Sequence, residues 1–85
     1  MIITEPGVYD IPAREYELLV FLASSPRRLF SREELLEAVW GSSEGRQRTS
    51  TVTEHIRRIR QRIEVDPDRP RWIQTVRGMG YRFDA

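Results

Sequence analysis

Between residues 49 and 65, Val52, Ile56, Ile59 and Ile63 recur at steps of four, three and four, and every position between them is polar or charged. At about 100° per residue this spacing closes into one narrow apolar stripe, so the segment reads as a helix docked along a single face. Such a helix needs a second layer to cover the stripe, because packing rather than propensity supplies most helix stability. Its opposite face follows by subtraction: Ser50, Glu54, Arg57, Arg58 and Gln61 point away, with Thr53, His55, Arg60 and Arg62 on the flanks. A helix anchored by isoleucines and presenting paired arginines suits a major groove, whose width admits one helix. A solvated face, with Glu54 paired to Arg58 four residues on, fits the same pattern.

Two shorter helices precede this one. Pro12 suits a helix start, and Leu18 to Ala23 form six consecutive apolar residues that cover more than one face, which predicts a central scaffold over 13–24. A link carrying Leu29 and Phe30 leads to Ser31 and Glu34, spaced as a capping box. Leu35, Leu36, Val39 and Trp40 follow on one stripe until Gly41, giving a second helix over 32–40. The third, over 49–65, is ended by Asp66-Pro67. Hairpins flank the helices: residues 1–11 turning at Glu5-Pro6-Gly7, and residues 72–83 turning at Arg77-Gly78-Met79-Gly80. The predicted architecture is α+β, one domain over 1–85, with a three-helix core between a short N-terminal β-hairpin and a C-terminal β-hairpin.

Eighty-five residues hold one small core. The absence of cysteine excludes disulfides, thiolate zinc sites and a cysteine nucleophile, and His55 as the sole histidine excludes a histidine-built metal site. No nucleophile elbow or phosphate-binding glycine loop is present, so the expectation is a non-enzyme without cofactor or metal. Mean hydropathy is −0.56, and Met1 to Glu5 resemble no signal peptide, which predicts a cytoplasmic protein with no membrane partner. The net charge of +1 conceals an asymmetry: residues 1–45 carry four arginines against eight acids, and residues 46–82 carry ten arginines against four acids. A basic C-terminal half points to nucleic acid or another polyanion, an acidic protein partner included. All fourteen cations are arginine, whose planar fork suits guanine edges and phosphates.

The final hairpin adds an independent signal. Glycines around Arg77 and Met79 permit a tight tip that carries Arg77 away from the sheet, toward the negative potential of a minor groove. A basic helix followed directly by a glycine-tipped basic hairpin is the winged helix-turn-helix plan. Residues 15–19 (EYELL), 28–41 (RLFSREELLEAVWG), 51–64 (TVTEHIRRIRQRIE) and 71–83 (RWIQTVRGMGYRF) together resemble the winged-helix effector domain of OmpR/PhoB-type response regulators, over about four fifths of the chain.

The resemblance implies a two-component transcription regulator whose third helix reads the major groove of double-stranded DNA while the wing enters the minor groove. It also implies tandem binding to direct repeats, a monomer in solution that pairs on DNA, and contact with RNA polymerase through the loop 41–48. Carried over by position, the base-contacting residues are Thr53, Glu54, Arg57, Arg58 and Arg77. The phosphate-contacting residues are Trp40, Thr51, His55, Arg60, Thr75 and Tyr81. Arg48, with Arg46 as the alternative, joins them as the substitute for an arginine that the family often carries where this chain has Ser50. Pro12 stands where the family has a capping threonine, so Glu15 has no reciprocal capping partner there. Eleven residues before the first helix supply about two strands against the family's four, and no regulatory receiver domain is encoded in the chain.

Overall fold

The computed structural model describes residues 11–41 and 48–85. Along the chain run α1 (Ala13–Ala23), β1 (Leu29–Phe30), α2 (Arg32–Trp40), α3 (Thr49–Ile63), β2 (Ile73–Val76) and β3 (Gly80–Phe83). The expected hairpin over 1–11 falls, except for Ile11, outside the described residues, as do residues 42–47 of the expected polymerase loop.

α1 starts at Pro12 with no side-chain cap. Glu15, deprived of a capping role, is instead 2% exposed and accepts from Arg62 Nε at 3.1 Å, tying α1 to α3. Leu18, Leu19 and Leu22 are fully buried, and the helix touches α2, α3 and β3, as its broad apolar surface requires. At α2 both halves of the Ser31–Glu34 capping box form, at 3.0 and 2.8 Å. Gly41, at φ 71°, ends the helix with its N–H on Leu36 and Glu37 carbonyls.

The α3 stripe is the core as read: Val52, Ile56, Ile59 and Ile63 are 8% exposed or less, packed with Leu35, Val39, Trp40, Ile73 and Phe83. The helix ends two residues before the expected boundary. Glu64 takes an extended backbone, because its side chain, not Asp66-Pro67, sets the terminus by accepting backbone N–H groups further along the chain.

Leu29 and Phe30 were expected to be a link but form an edge strand. The sheet is antiparallel in the order β1-β3-β2, with Leu29 opposite Arg82 and Phe30 opposite Tyr81. Two residues carry no alternation, so this strand leaves no sequence period to detect. β2 and β3 form the expected hairpin, from Ile73 opposite Phe83 to Val76 opposite Gly80. The Met79 N–H closes the turn on the Val76 carbonyl at 2.9 Å.

Candidate nucleic-acid interface

α3 turns its isoleucines inward, so its outward residues are placed by the core rather than by one another. Thr53, Arg57 and Arg58 are exposed and Glu54 is partly so. Glu54 stands between two cations: Arg57 donates to its carboxylate at 2.6 and 3.1 Å, and Arg58 Nε donates at 3.2 Å. The hydrogen bond from Arg57 is the main cause that holds the Glu54 carboxyl at about 2, against an ordinary 4.5, with the charges of Arg57 and Arg58 adding to it. The same bond raises the Arg57 guanidinium pKa. The plain Glu54–Arg58 pairing allowed by the sequence is therefore present, with Arg57 as its stronger member.

The other predicted residues gather into two groups. At the α2–α3 contact, Trp40 is 5% exposed and meets the His55 ring edge-on at 4.8 Å. His55 Nδ1 lies 2.8 Å from the Thr51 carbonyl. A carbonyl only accepts, so Nδ1 carries the proton in this arrangement. Arg14 donates to the Val39 carbonyl, and its guanidinium lies 6.0 Å from the Trp40 ring centre. Arg48 is exposed at the residue preceding α3.

Between α3 and the wing, Arg60 donates to the Ile73 carbonyl at 2.8 Å and to Thr75 Oγ1 at 2.7 Å, and lies 5.7 Å from the centre of the Tyr81 ring. Burial lowers its pKa from the usual arginine value, opposed by Tyr81 and Glu64. Tyr81 is 7% exposed, with its hydroxyl 3.5 Å from Thr53 Oγ1.

Arg77 is exposed in the wing turn and lines a cleft of about 320 Å³ with Arg32, Glu33, Thr75 and Tyr81. Arg32 is the cation that sequence reasoning passed over. The capping box at Ser31 was the available signal, because it marks a helix start whose first residue is Arg32. Among the described residues, no group of three or more metal-ligating side chains stands together, and no helix is long and apolar enough to cross a membrane.

Residues 6–83 match the family model for the C-terminal domain of transcriptional regulatory proteins. The chain belongs to this family. It is 49% identical over 74 residues to a probable transcriptional regulatory protein of Picosynechococcus, a match covering 87% of this chain and 29% of that one. The response regulator DrrB of Thermotoga maritima, an OmpR/PhoB homologue, superposes with a TM-score of 0.81 at 43% identity, covering 88% of this chain and 33% of DrrB. The DNA-binding domain of the response regulator AdeR, solved in complex with an intercistronic region, superposes at 0.72 with 28% identity, covering 88% and 72%. The chain spans about a third of the length of the curated relatives it matches. The winged helix-turn-helix architecture read from the sequence is that of this family, with three helices and a small antiparallel sheet.

Proposed function

We propose that this domain, a sequence-specific DNA-binding output domain of a response regulator, lays α3 in the major groove and the β2–β3 wing in the adjacent minor groove. Thr53, Glu54, Arg57 and Arg58 then face base edges, and Arg77 enters the minor groove. Arg48, Thr51, His55, Arg60, Thr75 and Tyr81 lie against phosphates, with Trp40 packed behind His55. The observation that carries this reading is the exposed Arg57–Glu54–Arg58 group on a helix whose other face is wholly committed to the core. Arginine is the side chain that pairs with guanine O6 and N7 by two parallel bonds, and a carboxylate can accept from a cytosine amino group. Phosphate contacts fix register, and base contacts specify sequence.

Binding to direct repeats, pairing of two copies only on DNA, attachment to an N-terminal regulatory domain and contact with RNA polymerase through 41–48 belong to the same proposal, as does a cytoplasmic site of action. Selection of the 85-residue chain against randomised duplexes at near-physiological salt tests it. Enrichment of a half-site repeated about one helical turn apart is the expected outcome. Recovery of unenriched sequence would overturn the specific-readout assignment.

A further inference from the structure

Glu64 sits at an unfavourable place for a carboxylate, the C-terminal end of α3, where the helix dipole repels negative charge. It is also 7% exposed. What holds it there is the chain entering β2. Glu64 Oε1 accepts from the N–H of Arg71 at 2.7 Å and of Trp72 at 3.1 Å, while Oε2 accepts from Trp72 at 3.0 Å and Ile73 at 2.9 Å. One turn earlier on α3, Arg60 donates to the Ile73 carbonyl and the Thr75 hydroxyl. Ile73 thus spends both backbone polar groups on α3 side chains, and the sheet edge left open by the order β1-β3-β2 is gripped by the helix. A hairpin of two four-residue strands holds its orientation poorly by itself.

We infer that Arg60 and Glu64 are positioning residues that lock the wing to the recognition helix, so that Arg77 is delivered at a fixed offset from Arg57 and Arg58. The helix and wing then bind as one preorganised head, and the ordering of the wing is completed before DNA arrives. This inference rests on the proposed reading of α3 and the wing, except that for Arg60 it replaces the phosphate contact proposed above with the grip on β2.

The charge of Glu64 supplies the discriminating test. Neutralising a carboxylate near DNA strengthens binding if only long-range electrostatics act, whereas loosening the wing weakens it. Wild type, Glu64→Gln, Arg77→Ala, Arg58→Ala and the doubles Glu64→Gln/Arg77→Ala and Glu64→Gln/Arg58→Ala are titrated against the duplex enriched by wild type and a scrambled duplex. Folding of each is verified by thermal unfolding. Glu64→Gln is expected to bind the enriched duplex about tenfold more weakly. It should add nothing further in the Arg77→Ala background, because the contact it positions is already gone, and it should multiply with Arg58→Ala.

Equal or tighter binding by Glu64→Gln overturns the inference, as does a loss that multiplies with Arg77→Ala. If Glu64→Gln does not fold, Arg60→Met, which removes the guanidinium donors and keeps an unbranched side chain, is put through the same cycle. A loss additive with Arg77→Ala there would restore Arg60 to a direct phosphate contact and refute the lock. Failure of the underlying DNA reading looks different: wild type itself would not distinguish the two duplexes.

Discussion

The two wing glycines have different physical reasons, and substitution separates them. Gly78 has φ 76° with nothing within 4 Å of where a Cβ would stand. Gly80 has φ 148°, and a Cβ there would lie 2.0 Å from the Phe30 carbonyl oxygen, 2.8 Å from its carbon and 2.9 Å from Ser31 Cα. All three atoms are backbone, so no rotamer relieves the clash. At Gly78 alanine meets only the left-handed backbone penalty of about 1–2 kcal/mol. At Gly80 a comparable backbone penalty of about 1–3 kcal/mol adds to overpacking of about 1–3 kcal/mol, because β1 must move away from β3. The expected cost of Gly80→Ala is therefore about 2–6 kcal/mol, a large share of the roughly 4–13 kcal/mol available to a domain this size. Thermal unfolding followed by circular dichroism should show Tm falling by about 8–48 °C for Gly80→Ala and about 4–16 °C for Gly78→Ala, with Gly80→Ala the larger loss. Equal losses within about 5 °C would refute the close approach of β3 to Phe30.

Glu54, held near 2 by Arg57 and Arg58, should titrate by carboxyl NMR with a midpoint near that value, and the midpoint should climb toward 4.5 in Arg57→Gln. Because the folded pKa is depressed, whatever stability the pair contributes is complete above about 4.5 and lost as pH falls through about 2; a wild-type midpoint at 4.5 would show that the pair does not form in solution. Arg62→Ala strands the buried Glu15 carboxylate and should cost about 3 kcal/mol by urea unfolding, more than Glu15→Gln, which leaves only a partly exposed arginine behind; the reverse order would count against the pair. Arg58→Ala should lose about 1–3 kcal/mol on the enriched duplex and little on a scrambled one, and equal losses on both would move Arg58 from the base-contacting to the phosphate-contacting set.

The core was legible because α3 wears its period openly: four β-branched residues on one stripe assign the buried face and, by subtraction, the outward arginines. Ser31 with Glu34, and Gly41 after Trp40, fixed the ends of α2 for the same reason, since caps are local chemistry. β1 was not legible. Its two residues are strand only because Gly80 lets β3 approach Phe30, a contact fifty residues away in sequence. The end of α3 was misplaced because Pro67 is a visible helix breaker, whereas the partners of Glu64 lie beyond it at residues 71–73. The buried pair of Glu15 and Arg62 was equally hidden, since only the α1–α3 packing brings them together.

Charge counting is where sequence and structure part most usefully. Ten arginines against four acids in residues 46–82 suggest a broad polycationic face, yet the fold gives several of them partners within the chain. Arg60 grips β2, Arg62 pairs with Glu15, Arg71 stacks over Trp72 at 4.3 Å and donates to the Asp84 carbonyl, and Arg82 pairs with the Asp84 carboxylate at 2.7 Å. The cations left facing outward on α3 and the wing are Arg57, Arg58 and Arg77, and Glu54 already offsets part of the first two. Arginines paired with carboxylates add little net charge to phosphate attraction, which falls more to the exposed Arg48, Arg69 and Arg77. On the proposed DNA reading, discrimination then depends on whether a base edge can replace Glu54 as the partner of Arg57 or Arg58. A correct guanine offers two acceptors to the arginine fork, while a wrong base leaves the arginine better paired to its own helix.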